Sequence, residues 1–151
     1  MNLQTTAYAL MAVCVGTLFP VQAAVNALLA RGVGGAFAAT MVSFIAGLIV
    51  LLGLNAVVFK QWPRLADLYA QPLPLLWAGG TIGVVFLSSN VFLASRIGVA
   101  ATFAFAMAGQ LLAALLIDRF GLFGMVLREL SLGRVAGVLL VFVGALMVRL
   151  A

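Results

Sequence analysis

The chain has 151 residues, of which 66% are hydrophobic and 7% charged, too few charged groups to cover a soluble domain of this size. Its formal charge of +5 does not signal nucleic-acid binding, because the Lys and Arg residues stand singly at the ends of apolar runs and form no basic face. Histidine is absent and Cys14 is the one cysteine, which rules out an intrachain disulfide and most thiolate metal sites, and no cofactor is expected.

The lipid bilayer is therefore the solvent. A span needs about 20 apolar residues at about 1.5 Å of rise each. The length accommodates five spans with short connections, at residues 5–30, 36–59, 75–95, 99–117 and 132–150, all in one transmembrane domain, 1–151. Val21-Gln22-Ala23 has the look of a signal-peptidase site. Residues 1–6 carry no Lys or Arg, however, and the apolar run continues to Leu29, so it reads as a retained first helix.

The first span closes on the glycine-rich turn Arg31-Gly32-Val33-Gly34-Gly35. Within it Pro20 cannot bond the carbonyl of Gly16, which predicts a kink or a freed carbonyl. Gln22 and Asn26, at i and i+4, share a face that has to avoid lipid. Both a packing role, binding helix to helix, and contact with a substrate fit that placement.

In the second span Thr40, Ser43 and Gly47 lie close together on one side, a pattern read as close helix packing. Lys60, Trp62, Pro63 and Arg64 mark its exit from the membrane. The connection from there to Pro74, with Asp67, Gln71 and Pro72, is polar, proline-bearing and too short to separate domains.

The third span places Gly79, Gly83, Phe86, Asn90 and Ala94 within about 80° of one another at about 100° per residue. Gly79 and Gly83 suit helix packing, and Asn90 makes the second half of the same face polar. The fourth span, from Val99 to Ile117, holds only Thr102 and Gln110 as polar side chains and ends on Asp118-Arg119. Asp118 reads as a helix-end cap or lock, or else as a coupling or gating group, with Arg119 beside it as a local ion-pair partner.

The stretch between Asp118 and Ser131 is apolar, broken by Gly121 and Gly124, and too short to span, so it belongs at the interface. Ser131 is the expected N-cap of the fifth span. That span carries a packing stripe of Gly133, Gly137 and Gly144 and no midspan polar group.

Five spans put the termini on opposite sides. One side then holds Lys60, Arg64, Arg119, Arg128 and Arg134, the other Arg31, Arg96 and Arg149. So small a bias permits insertion in both orientations. Two oppositely oriented copies would form a ten-helix body with a substrate site near the midplane; a parallel oligomer in one orientation fits the charges equally.

The order of these elements resembles the half-size YdcZ-type branch of the drug/metabolite transporter superfamily. The resemblance rests on Gly16 with Pro20, Gln22 and Asn26; on Ser43-Phe44 with Gly47; and on Trp77 with Gly79-Gly80 and Gly83. It continues through Gly98-Val99-Ala100-Ala101, Gly109-Gln110, Asp118-Arg119-Phe120-Gly121-Leu122, Ser131, Arg134 and Gly137, covering nearly the whole chain. One departure is local: the family usually carries proline and more basic residues after Gly124, whereas Met125–Leu132 here has no proline.

The resemblance implies an all-α integral protein of the bacterial inner membrane, with five transmembrane helices per chain. It also implies pairing with a second copy or a paralogous half into an antiparallel ten-helix inverted-repeat unit. The cavity would be bounded by the first, third and fourth helices of each half.

The residues themselves argue against an enzyme, for they offer no histidine, no thiol pair and no paired intramembrane carboxylates. What remains are amides, which donate and accept, and so suit neutral or zwitterionic solutes better than bare cations. Gln22, Asn26, Asn90 and Gln110 are predicted as substrate contacts in an exporter of small metabolites or drug-like solutes working by alternating access. A structural or accessory subunit held together by the same amides, and a passive channel, are the rival readings.

Overall fold

The computed structural model describes residues 3–150. Seven α-helices follow in order: α1 (Leu3–Gly16), α2 (Leu18–Val33), α3 (Ala36–Leu54), α4 (Leu65–Tyr69), α5 (Leu73–Ile97), α6 (Val99–Phe120) and α7 (Leu132–Leu150). No strand occurs among the described residues. Five helical stretches are long and apolar enough to cross a membrane: Gln4–Val33, Ala36–Phe59, Leu73–Ile97, Val99–Phe120 and Leu132–Leu150.

Helix ends follow local chemistry. The first span runs on to Val33 before Gly34, at φ 93°, takes the left-handed turn and returns its N–H to the carbonyl of Ala30. Within the span the helical ladder is interrupted at Thr17, three residues before Pro20, while Thr17 itself keeps a helical backbone at φ −66° and ψ −21° with its N–H on the carbonyl of Val13 at 3.2 Å. The missing N–H and the bulk of the proline ring act on the carbonyl one turn earlier, at Gly16, so the irregularity falls there. Thr17 stabilises the interruption by donating its hydroxyl to the carbonyl of Cys14 at 2.7 Å.

The second span ends in a wider turn, Asn55–Phe59, closed by Lys60 at φ 54°, whose N–H reaches the carbonyl of Asn55 at 2.8 Å. The connection of residues 61–72, expected as plain linker, contains the short helix α4. Beyond the apolar run that ends at Ile117, α6 continues and carries Asp118-Arg119 at its foot. Charge does not stop a helix whose backbone bonds continue; Gly121, at φ 59° with its N–H on the carbonyl of Ile117, does.

The chain divides into two compact units, Met1–Phe92 and Leu93–Ala151, the division falling within α5. In the first unit α2 packs along α3. α3 and α5 meet where a Cβ added to Gly83 would lie 3.3 Å from the ring of Phe44. Phe19 of α2 meets Phe86 of α5 edge to face, ring centroids 6.5 Å apart. In the second unit α6 and α7 form a helical hairpin. Its connection turns at Gly121, makes one tight turn over Leu122–Gly124 and then runs extended, with the N–H of Arg128 on the carbonyl of Asp118 at 2.9 Å. Ser131 Oγ accepts the N–H of Arg134 at 3.3 Å, the expected N-cap of α7.

The buried residues are mostly small or polar, Ala23, Ala39, Asn26, Thr40, Ser88 and Asn90 with Leu87 and Val91 in the first unit, and Ala94, Ala101, Thr102, Ala108 and Ala145 in the second, while most large apolar side chains project outward. A soluble domain does the opposite. In lipid there is no reward for hiding leucine, and small residues gain close backbone approach while polar ones gain partners.

Candidate functional site

Within the first unit a set of uncharged polar side chains gathers on α2, α3 and α5. Asn26 of α2 is 3% exposed, and its Oδ1 accepts the hydroxyl of Ser43 on α3 at 2.6 Å. One turn earlier on α3, Thr40 Oγ1 accepts the hydroxyl of Ser88 on α5 at 3.0 Å. Thr40 and Ser43, three residues apart, share one helical face, and α3 is thereby tied to both neighbours. Asn90, also buried, donates Nδ2 to the carbonyl of Phe86 in its own helix at 2.7 Å.

Hydrogen accounting defines what this group can still do. Ser43 has one hydroxyl hydrogen and gives it to Asn26. The Nδ2 of Asn26 is buried and meets no partner among the described residues. Such a donor costs about 1–3 kcal/mol while unsatisfied.

Ser43 also lines an open cavity of about 570 Å³, together with Gln22, Phe44, Gly47, Leu48 and Leu87. Its walls are apolar apart from Gln22 and Ser43, and no lining residue is charged. Gln22 and Asn26, expected on one face, divide their roles: Gln22 is exposed at the cavity and Asn26 is buried behind Ser43.

Gln110 belongs to the second unit, on α6, and is exposed. Thr102, buried near the start of α6, returns its hydroxyl to the carbonyl of Gly98 at 2.7 Å. The ion pair expected between Asp118 and Arg119 is replaced: Asp118 Oδ2 is held by Nη2 of Arg134 on α7, and Arg119 is exposed. Adjacent helical residues diverge by about 100°, whereas Arg134 stands on the facing helix. Among the predicted packing glycines, Gly83 meets Phe44, while a Cβ at Gly79, Gly137 or Gly144 meets nothing within 4 Å and one at Gly133 meets only Ser131 Oγ, at 4.0 Å.

Thr40 and Ser43 are read from sequence as packing residues, and Ser88 escapes attention altogether. The reason is angular. Ser88 lies about 160° around α5 from Asn90, off the face that the glycines and Asn90 define. Leu87, Ser88, Asn90 and Val91 are all buried while Ser89 and Phe92 are exposed, so the covered face at this level is one broad arc of about 160° that reaches from Asn90 to Ser88. The pair of hydroxyls at i and i+3 on α3 is the signal that could have indicated polar partners on two neighbouring helices.

A family model described as "Putative inner membrane exporter, YdcZ" matches residues 7–147. Searches of curated proteins and of solved structures gave no match.

Proposed function

The chain belongs to the YdcZ family of inner-membrane exporters, and from that premise we propose that it exports small neutral or zwitterionic metabolites or drug-like solutes by alternating access. It is an integral inner-membrane protein with five apolar spans, of an exporter family and not an enzyme family. The working unit in this reading is a dimer with a second copy or paralogous half in the opposite orientation, which would give each half the same polar groups.

The observation that carries the choice of solute is the uncharged cavity in the first unit, with Ser43 and the exposed amide of Gln22 in its wall. An amide donor with no carboxylate beside it favours a solute bearing a carbonyl or hydroxyl acceptor on an apolar body. A bare cation would find no counter-charge there. Asn90 and Gln110 complete the proposed contacts, with Asp118 and Arg119 as the candidate coupling or gating groups at the end of the fourth span.

The Ser43–Asn26 and Thr40–Ser88 bonds also support a second reading, in which the polar groups serve only to join helices. Alanine at Gln22, Asn26, Asn90 and Gln110 together separates the two. If the purified variant keeps its thermal midpoint in detergent but loses solute counterflow in proteoliposomes, the amides form a site. If it melts early, they are structural. Gln110→Ala alone is expected to impair transport at near-normal expression; unchanged transport removes Gln110 from the site. Flux that never saturates would favour a passive channel instead.

A further inference from the structure

At the charged end of the α6–α7 hairpin lies a second cavity of about 370 Å³, lined by Leu111, Leu115, Gly133, Gly137 and Val138 together with Arg134. Arg134 spends Nη2 on Asp118, whereas its Nη1 is shielded and has no partner among the described residues. About a third of the side chain, 32%, stays exposed, although Nη1 itself does not. Asp118, at the level of Arg134, and Leu111 are seven residues apart on α6, about 10 Å along the axis. The cavity thus has a guanidinium, paired on one side with Asp118, at the charged end of the hairpin and apolar walls beyond it.

From this we infer that the hairpin cleft binds a phospholipid, with the phosphate paired to the exposed part of the Arg134 side chain and the upper part of an acyl chain between α6 and α7. Charge complementarity selects this occupant. A guanidinium presents donors in a fork that matches phosphate oxygens, and one carboxylate occupies only part of that fork. The hairpin end carries Arg119, Arg128 and Arg134 against Asp118 and Glu129, so an anionic diester is not repelled there. The walls contribute no other charged group, which suits a chain and not a second polar moiety. Gly133 and Gly137 leave the floor of the cleft open, since a Cβ at Gly137 would meet nothing within 4 Å.

The test is native mass spectrometry of the purified full-length protein, delipidated in mild detergent and titrated with dioleoyl-phosphatidylglycerol. Dioleoylglycerol and glycerol 3-phosphate serve as the two half-ligands. The wild-type protein is expected to retain the phospholipid, and neither half-ligand is expected to displace it. Arg134→Gln combined with Asp118→Asn, which leaves no orphaned charge, is expected to weaken retention by about tenfold or more, the scale of a lost charge-assisted hydrogen bond. Gly137→Leu keeps the arginine but fills the cleft, and is expected to weaken retention equally with an unchanged thermal midpoint. Should the arginine variant fail to fold, Gly137→Leu decides alone. Retention untouched by Gly137→Leu, dioleoylglycerol bound as tightly as the phospholipid, or glycerol 3-phosphate competing on equal terms would each overturn the inference.

Discussion

The hydroxyl of Ser43 reaches Asn26 from a neighbouring helix, and the worth of that bond in a membrane is modest because the alternatives for either group are also polar. A double-mutant cycle of Ser43→Ala and Asn26→Leu in detergent melts is expected to give a coupling of about 0.6–1.7 kcal/mol. Additive effects would mean that the two side chains do not share a bond in the working protein. Glycines on α5 provide a sharper contrast. Gly83→Leu has to displace the Phe44 ring that lies 3.3 Å from the added Cβ, and is expected to cost about 1–3 kcal/mol, the usual range for overpacking. Gly79→Leu, one turn earlier with open space around it, is expected to be neutral or slightly stabilising, since leucine exceeds glycine in helix propensity by under about 1 kcal/mol. Thermal midpoints of the two variants side by side check both expectations.

Two elements carry irregularities that residue-level reasoning explains but does not exhaust. The ladder is interrupted at Thr17, in a backbone that stays helical, because Pro20 denies Gly16 a helical partner. Pro20→Ala is expected to restore the missing ladder bond to Gly16, raising thermal stability by up to about 3 kcal/mol. If the interruption provides the flexibility that alternating access needs, transport falls as stability rises. A stabilised and fully active variant would assign the interruption no functional part. At the other end of the chain the Asp118–Arg134 pair clasps the α6–α7 hairpin beside the turn that Gly121 makes. Both side chains are roughly a third exposed, so water screens the pair and its loss is expected to cost no more than about 1 kcal/mol. Asp118→Asn therefore lowers the midpoint slightly, and a charge swap of the two residues restores it.

For the whole molecule, orientation is the quantity that charge alone leaves nearly balanced. Five basic residues on one side against three on the other is a weak bias under the rule that cytoplasmic loops retain Lys and Arg. An antiparallel pair made of this chain alone requires both orientations. A single cysteine at Gln61 in a Cys14→Ala background, labelled with an impermeant thiol reagent from either face of the membrane, is then expected to react from both. Labelling from one face only would leave the flipped position to a paralogous half.

Much of the fold was legible because membrane helices satisfy their own backbone hydrogen bonds, so that apolar length by itself reports a span. Span ends were legible wherever a residue's own conformation decides them, as at Gly34, Ser131 and the Gly16–Pro20 segment. At α6 the charges Asp118-Arg119 mark the end of the apolar run, and the helix itself continues to Phe120, where the left-handed Gly121 ends it. The polar residues were individually visible in the sequence, but their pairing was not. Ser43 finds Asn26 across 17 positions, Ser88 finds Thr40 across 48, and Arg134 takes Asp118 from Arg119 across 16. Each of those choices depends on the rotation of one helix against another, which the packing of small residues sets and no local pattern encodes. Composition and helical periodicity thus determined a five-span membrane protein with uncharged groups at depth. Only the tertiary structure decided which donor was left without a partner, because that depends on every other group having already taken one.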